Sequence, residues 1–186
     1  MVPLSQLWVP ILASVVAVFV ASSLVHMVLP WHKSDYPKLA NEDAVMDALR
    51  PLALPPGDYL MPRPTSTADM RSPEFVERMK RGPVVLMTVM PTGPVQMGGT
   101  FVQWFIYLLV VTVLAAHLAS VGLPAGAPSR YVFHEIALVS FASYALALWQ
   151  LTIWYRRSWM ITLKSTVDAL IYAVITGAIF QWWWPR

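Results

Sequence analysis

Four long apolar runs leave this chain few folds to adopt. They cover about residues 6–29, 100–121, 131–155 and 159–184. Each approaches or exceeds the roughly 20 residues a helix needs to cross a hydrocarbon core of about 30 Å. Inside lipid a backbone amide finds no water, so a single run satisfies its own polar groups only as a helix. The expected fold class is therefore an all-α integral membrane protein. It has four transmembrane helices, with a Pro-rich extramembrane loop carrying two short helices between the first and second. Composition agrees, since 12% of the 186 residues are charged against about 25% in soluble domains.

The first run, QLWVPILASVVAVFVASSLVHMVL, is flanked by Trp8 and Trp31. No Lys or Arg precedes Lys33, and a signal peptide would open on a positive segment, so a retained helix is expected. Residues 30–99 form the polar loop. Within it NEDAVMDALR reads as a helix near 42–50, with Asn41 as N-cap, acids in the first turn and Pro51 as the stop. SPEFVERMKRG reads as a second helix over 73–81, with Ser72 as N-cap, Pro73 at the first position and Gly82 after the end. LALPPGDYLMPRPT is too rich in proline for a helix or a central strand and is expected to be extended. PVVLMTVMPTGPVQMGG is too interrupted to span and reads as a short strand or loop against the interface or a partner.

Orientation follows from the basic residues. The loop holds eight Lys or Arg, and Arg156, Arg157 and Lys164 add three on the same side, whereas only Arg130 and Arg186 lie opposite. Basic residues concentrate on the cytoplasmic side. The loop is thus expected in the cytoplasm of a bacterial inner membrane, with both termini periplasmic. Trp8, Trp31, Trp159 and Trp182 fall at run ends, as interface anchors do.

Polar residues inside the runs are the functional candidates. Lys164 and Asp168 are four residues apart and share one helix face, with Tyr172 one turn further. A lone aspartate there costs about 2.5–3.5 kcal/mol, so pairing with Lys164 and a face turned toward other helices are expected. Asp168 then serves as a polar lock between helices or as a proton or cation site. Ala169, Ala173 and Gly177 form a small-residue ridge beside it. His117, His134 and Glu135 should reach similar depth on antiparallel neighbours. Two histidines so placed suit haem, or a metal with Glu135, although hydrogen bonding to water and headgroups explains them equally. HMVLPWHKSD holds His26, His32 and Asp35, a combination able to bind a metal or to anchor the interface; Pro30 leaves the direction of its histidines open.

Zero cysteines exclude disulfides, thiolate metal sites and thiol nucleophiles. Basic residues are interleaved with acids and form no basic face, so nucleic acid is not an expected partner. Membrane lipids and other membrane-protein subunits are. No phosphate loop, H-E-x-x-H, G-x-S-x-G or pair of embedded acids occurs, which argues against an enzyme, and no cofactor is required.

SLVHMVLPWHKSDY, NEDAVMDALR, RSPEF with RGPVVLMTVMP, LALWQLTIWYRRSW and STVDALIYAVITGAIFQWWWPR carry a resemblance over the whole chain. The chain resembles a family of small bacterial four-span inner-membrane proteins. The resemblance implies four spans and an ordered loop, and supplies no activity, substrate or ligand residue. The function expected is a non-catalytic accessory or structural subunit of a larger inner-membrane complex, energy-converting complexes among them. The alternatives are a small channel or transporter using Asp168, or a haem- or metal-binding redox protein using His117 and His134.

Overall fold

The computed structural model describes all 186 residues. Four helical stretches are long and apolar enough to cross a membrane: Trp8–Val28, Met97–Gly122, Ser129–Tyr155 and Trp159–Trp183. The chain is a multi-pass membrane protein. It divides into two compact units, one of Met1–Pro37 with Gln96–Arg186 and one of Lys38–Val95.

In the membrane unit, α1 (Trp8–Ser23) continues through one widened π-type turn, Leu24–Val28, closed by the Leu29 amide donating to the Leu24 carbonyl at 3.0 Å. Pro30 ends it. A proline disfavours helical backbone in the residue before it, and Leu29 is extended at φ −76°, ψ 146°. A 3₁₀ turn, Pro30–His32, follows.

The remaining membrane helices are α4 (Met97–Gly122), α5 (Ser129–Ala145), α6 (Leu148–Tyr155) and α7 (Trp159–Trp183). The sequence suggested one unbroken third span. Instead α5 and α6 meet at a tightened turn, where the Trp149 amide reaches Leu146 rather than the residue four back. Arg156, at φ 57°, caps α6 in the left-handed region.

α7 packs most extensively on α5 and also against α1 and α6, while α4 packs on α1 and α5. Two apolar clusters fill the bundle. One joins Leu7, Ile11, Ala116, Ile136 and Phe180 near the end that carries the termini. The other joins Val15, Val18, Leu108, Tyr144 and Tyr172. At the termini end the chain is tied down: Val2 N–H donates to Ser120 O at 3.3 Å, and Gly126 N–H to Pro185 O at 2.8 Å. Trp184, just past the end of α7, is buried and donates its indole N–H to Pro124 O at 3.0 Å.

Ala169, Ala173 and Gly177 are buried. A Cβ on Gly177 would meet Phe133 Cδ2 and O at 3.0 Å and Ala137 Cβ at 3.1 Å, so the ridge lets α7 and α5 approach closely.

The loop unit, described by itself, holds α2 (Glu42–Leu49), β1 (Gly57–Met61), α3 (Pro73–Arg81) and β2 (Val85–Val89). β1 and β2 pair antiparallel, Gly57 opposite Val89 through Met61 opposite Val85. The proline-rich segment thus contains a strand. A two-stranded ribbon has only edges, and Pro62 and Pro83 lie just outside the paired residues, where no ladder donor is lost. Ser72 caps α3 as expected, accepting from Phe75 N–H at 3.1 Å. Asn41 holds the N-cap position of α2, but its side chain accepts no capping bond.

Candidate functional site

Polar side chains converge at the loop end of the membrane unit. Three segments deliver them: the widened turn of α1 (His26), the 3₁₀ turn and the residues behind it (Trp31, His32, Ser34, Asp35), and α7 (Lys164, Asp168). On α7 the side chains of Lys164 and Asp168 are 10% and 4% exposed, and Asp35 keeps 6%. These are buried charges, and buried charges persist only when paired and hydrogen-bonded.

The pairing differs from the expected one. Lys164 Nζ goes to Asp35 Oδ1 at 2.6 Å, Ser34 Oγ at 2.9 Å and the Trp31 carbonyl at 2.8 Å, so all three of its protons are used. Asp168, in place of pairing with Lys164, accepts from Trp31 Nε1 at 3.1 Å and faces His32 Nε2 across 2.9 Å. Geometry explains the exchange. Lys164 and Asp168 share one face of α7, and the folded-back segment 31–35 covers that face with a carboxylate for one and an indole and imidazole for the other.

His32 bridges both acids, with Nδ1 at 2.6 Å from Asp35 Oδ2. The imidazolium form satisfies both carboxylates at once. It also balances the cluster, setting Lys164 and His32 against Asp35 and Asp168. Burial alone would push the Asp35 carboxyl up; the hydrogen bonds from Lys164 and His32, with their charges, outweigh it and hold it below the usual carboxylate range.

His26 lies flat on this arrangement. Its ring stacks on His32 with centroids 4.2 Å apart and planes at 21°. Although His26 is exposed, one potential ligand atom each from His26, His32 and Asp168 lie within 4.8 Å of one another. Beside these residues is a cavity of about 340 Å³ whose lining includes His26, Trp104, Tyr107, Tyr144, Asp168 and Tyr172. The hydroxyls of Tyr144 and Tyr172 are buried and have no hydrogen-bond partner within the protein. A wider groove of about 610 Å³ is lined by residues including Val25, Trp31, Lys164, Asp168 and Ile171.

The other expected residues lie elsewhere. His117 and His134 are exposed and Glu135 half-buried. None of them joins a three-residue ligand cluster, and Glu135 forms no ion pair. Tyr172 lines the cavity one turn beyond Asp168, as its spacing suggested. Trp8, Trp159 and Trp182 are exposed, and Trp31 is 41% exposed and hydrogen-bonded to Asp168. Sequence reasoning underrated Asp35 and Ser34. The available signal was a charged H-K-S-D stretch directly after an apolar run, too short to be a helix of its own.

This fold and cluster define the class: a four-span membrane protein whose first interhelical turn is fastened to its last helix by buried charge. Comparison with protein families, curated proteins and solved structures returns no match.

Proposed function

We propose that the chain is a non-catalytic accessory subunit of a larger bacterial inner-membrane assembly. It would stand with its loop in the cytoplasm and both termini in the periplasm. The observation that carries this reading is the loop unit. From Lys38 to Val95 only Phe75 is buried, yet the segment forms two helices and a two-stranded antiparallel ribbon. Val45 and Met46 on α2, Leu60 and Leu86 on the ribbon, and Val76 and Met79 on α3 are all exposed.

An isolated two-stranded hairpin is marginal in water, and small units bury too little surface to be secure alone. A protein partner that covers these side chains supplies the missing burial. The unequal division of basic residues supports the orientation. The charge cluster fits the same reading, since it fastens residues 31–35 to α7 without any catalytic pattern.

Isolation from the native membrane in mild detergent tests this. Stoichiometric companions are expected, and they should be lost when Val76→Asp and Met79→Asp are combined on α3 while the chain still accumulates. A protein that always migrates alone overturns the reading.

A further inference from the structure

We propose that His26, His32 and Asp168 form a binding site for one divalent first-row transition-metal ion, with Asp35 as the partner that orients His32. The proposal stands apart from the accessory-subunit reading, because it uses only the membrane unit.

Four observations converge on it. The first is composition and geometry. Two imidazoles and one carboxylate are a donor set used by zinc and by non-haem iron, and they leave open positions on the ion. Their ligand atoms already lie within 4.8 Å of one another. Metal–ligand bonds of about 2.1 Å in tetrahedral geometry place donors roughly 3.4 Å apart. His32 Nε2 and Asp168 Oδ2, at 2.9 Å, would separate slightly, and His26 would close in. His26 is free to do so, being exposed and held by no hydrogen bond.

The second is the support around the ligands. Metal-binding histidines usually give their other ring N–H to a carboxylate, which fixes the tautomer and raises basicity. His32 Nδ1 is 2.6 Å from Asp35 Oδ2, and Asp35 is held in turn by Lys164 at 2.6 Å. Asp168 keeps Oδ1 for Trp31 and presents Oδ2 to the site. The ion would take the place of the proton between His32 and Asp168, leaving the hydrogen bond to Asp35 intact.

The third is backbone form. His26 sits within the π-type turn Leu24–Val28, and such turns occur frequently at functional sites.

The fourth is the neighbouring cavity. His26 and Asp168 both line it, together with Tyr144 and Tyr172, whose hydroxyls are buried and unpartnered. Water or another small ligand on the open positions of the ion would be within the same space.

Cobalt(II) is the probe of choice, since its coordination can be read in the visible spectrum. The full chain, purified in detergent with a tag free of histidine and stripped by chelator, is titrated with Co²⁺ and then challenged with Zn²⁺. One Co²⁺ per chain is expected, displaced by Zn²⁺. His26→Ala should fold as wild type, because the side chain is exposed and makes no hydrogen bond, and should weaken binding by at least about tenfold. His117→Ala, which removes an exposed histidine elsewhere, should leave binding unchanged. Absence of binding at micromolar Co²⁺, undiminished binding by His26→Ala, or loss of binding in His117→Ala would each overturn the proposal.

Discussion

Among single residues, Asp35 has the largest expected effect on stability. It is the counter-charge to Lys164, whose other partners, the Trp31 carbonyl and Ser34 hydroxyl, are neutral. Asp35→Asn therefore leaves an uncompensated buried ammonium. The expected destabilisation is about 3–5 kcal/mol, the usual result of removing one member of a buried pair. Removing both charges is a different matter, since apolar replacements of a buried pair are often neutral. Asp35→Leu with Lys164→Met should recover most of the loss. Thermal unfolding in detergent measures both, and a single mutant as stable as wild type would show that the pair holds nothing. Asp168→Asn separates the two readings of the acid. A lock predicts less folded protein, because Trp31 and His32 lose a buried carboxylate partner; an ion pathway predicts normal accumulation with flux abolished in vesicles. That Asp168 must face inward was legible from the sequence, because lipid exposure of a charge is so costly. Its partner was not. His32 is separated from Asp168 by 136 positions, and helical spacing speaks only for neighbours within a turn.

Between helices, the closest approach argued from the sequence lies along Ala169, Ala173 and Gly177. Gly177→Ala places a methyl group at 3.0 Å from the Phe133 carbonyl oxygen and ring carbon. The side chain can swing aside, but the carbonyl belongs to the backbone of α5 and cannot do so cheaply. A loss of about 1–3 kcal/mol is expected, as for other overpacked contacts. Gly99 in α4 provides the contrast, with nothing within 4 Å of a built Cβ. There alanine should be neutral or stabilising by up to about 1 kcal/mol, since glycine is the poorer helix former. Opposite shifts in the melting temperature of the two variants check the assignment; equal shifts would contradict the close α5–α7 contact. Elements were legible wherever one signal dominated. Hydropathy marked the spans, and Ser72, Pro73 and Gly82 marked both ends of α3. The break between α5 and α6 carried no such mark, for no proline or glycine stands at Leu146 or Ala147. The β1–β2 pairing was hidden for another reason: its register joins residues on either side of α3, and the prolines around β1 pointed only to an extended segment, with no sign of a paired strand.

At the scale of the molecule, an even number of spans places both termini on one side and the long loop on the other. Which side faces the cytoplasm is set by charge. Arg156 and Arg157 in the short α6–α7 turn stand on the loop side, and Arg130 on the opposite one. Short turns respond most reliably to the positive-inside bias, so the two arginines outweigh the long loop as evidence. The chain has no cysteine, which makes the orientation directly measurable with single introduced thiols. Thr92→Cys lies in the loop and Ala125→Cys in the α4–α5 turn, and both positions are exposed. On the proposed orientation, a membrane-impermeant maleimide applied to intact cells should label Ala125→Cys and spare Thr92→Cys; after the membrane is opened it should label both. Labelling of Thr92→Cys in intact cells would invert the topology. The His26, His32 and Asp168 cluster would then lie on the outer side of the membrane, and the proposed partner would have to be sought there. Moving Arg156 and Arg157 to the opposite side adds a stronger test. With both changed to Ser and two arginines added beside Arg130, the balance around α5 and α6 reverses, and a fraction of the chains should show the inverted labelling pattern.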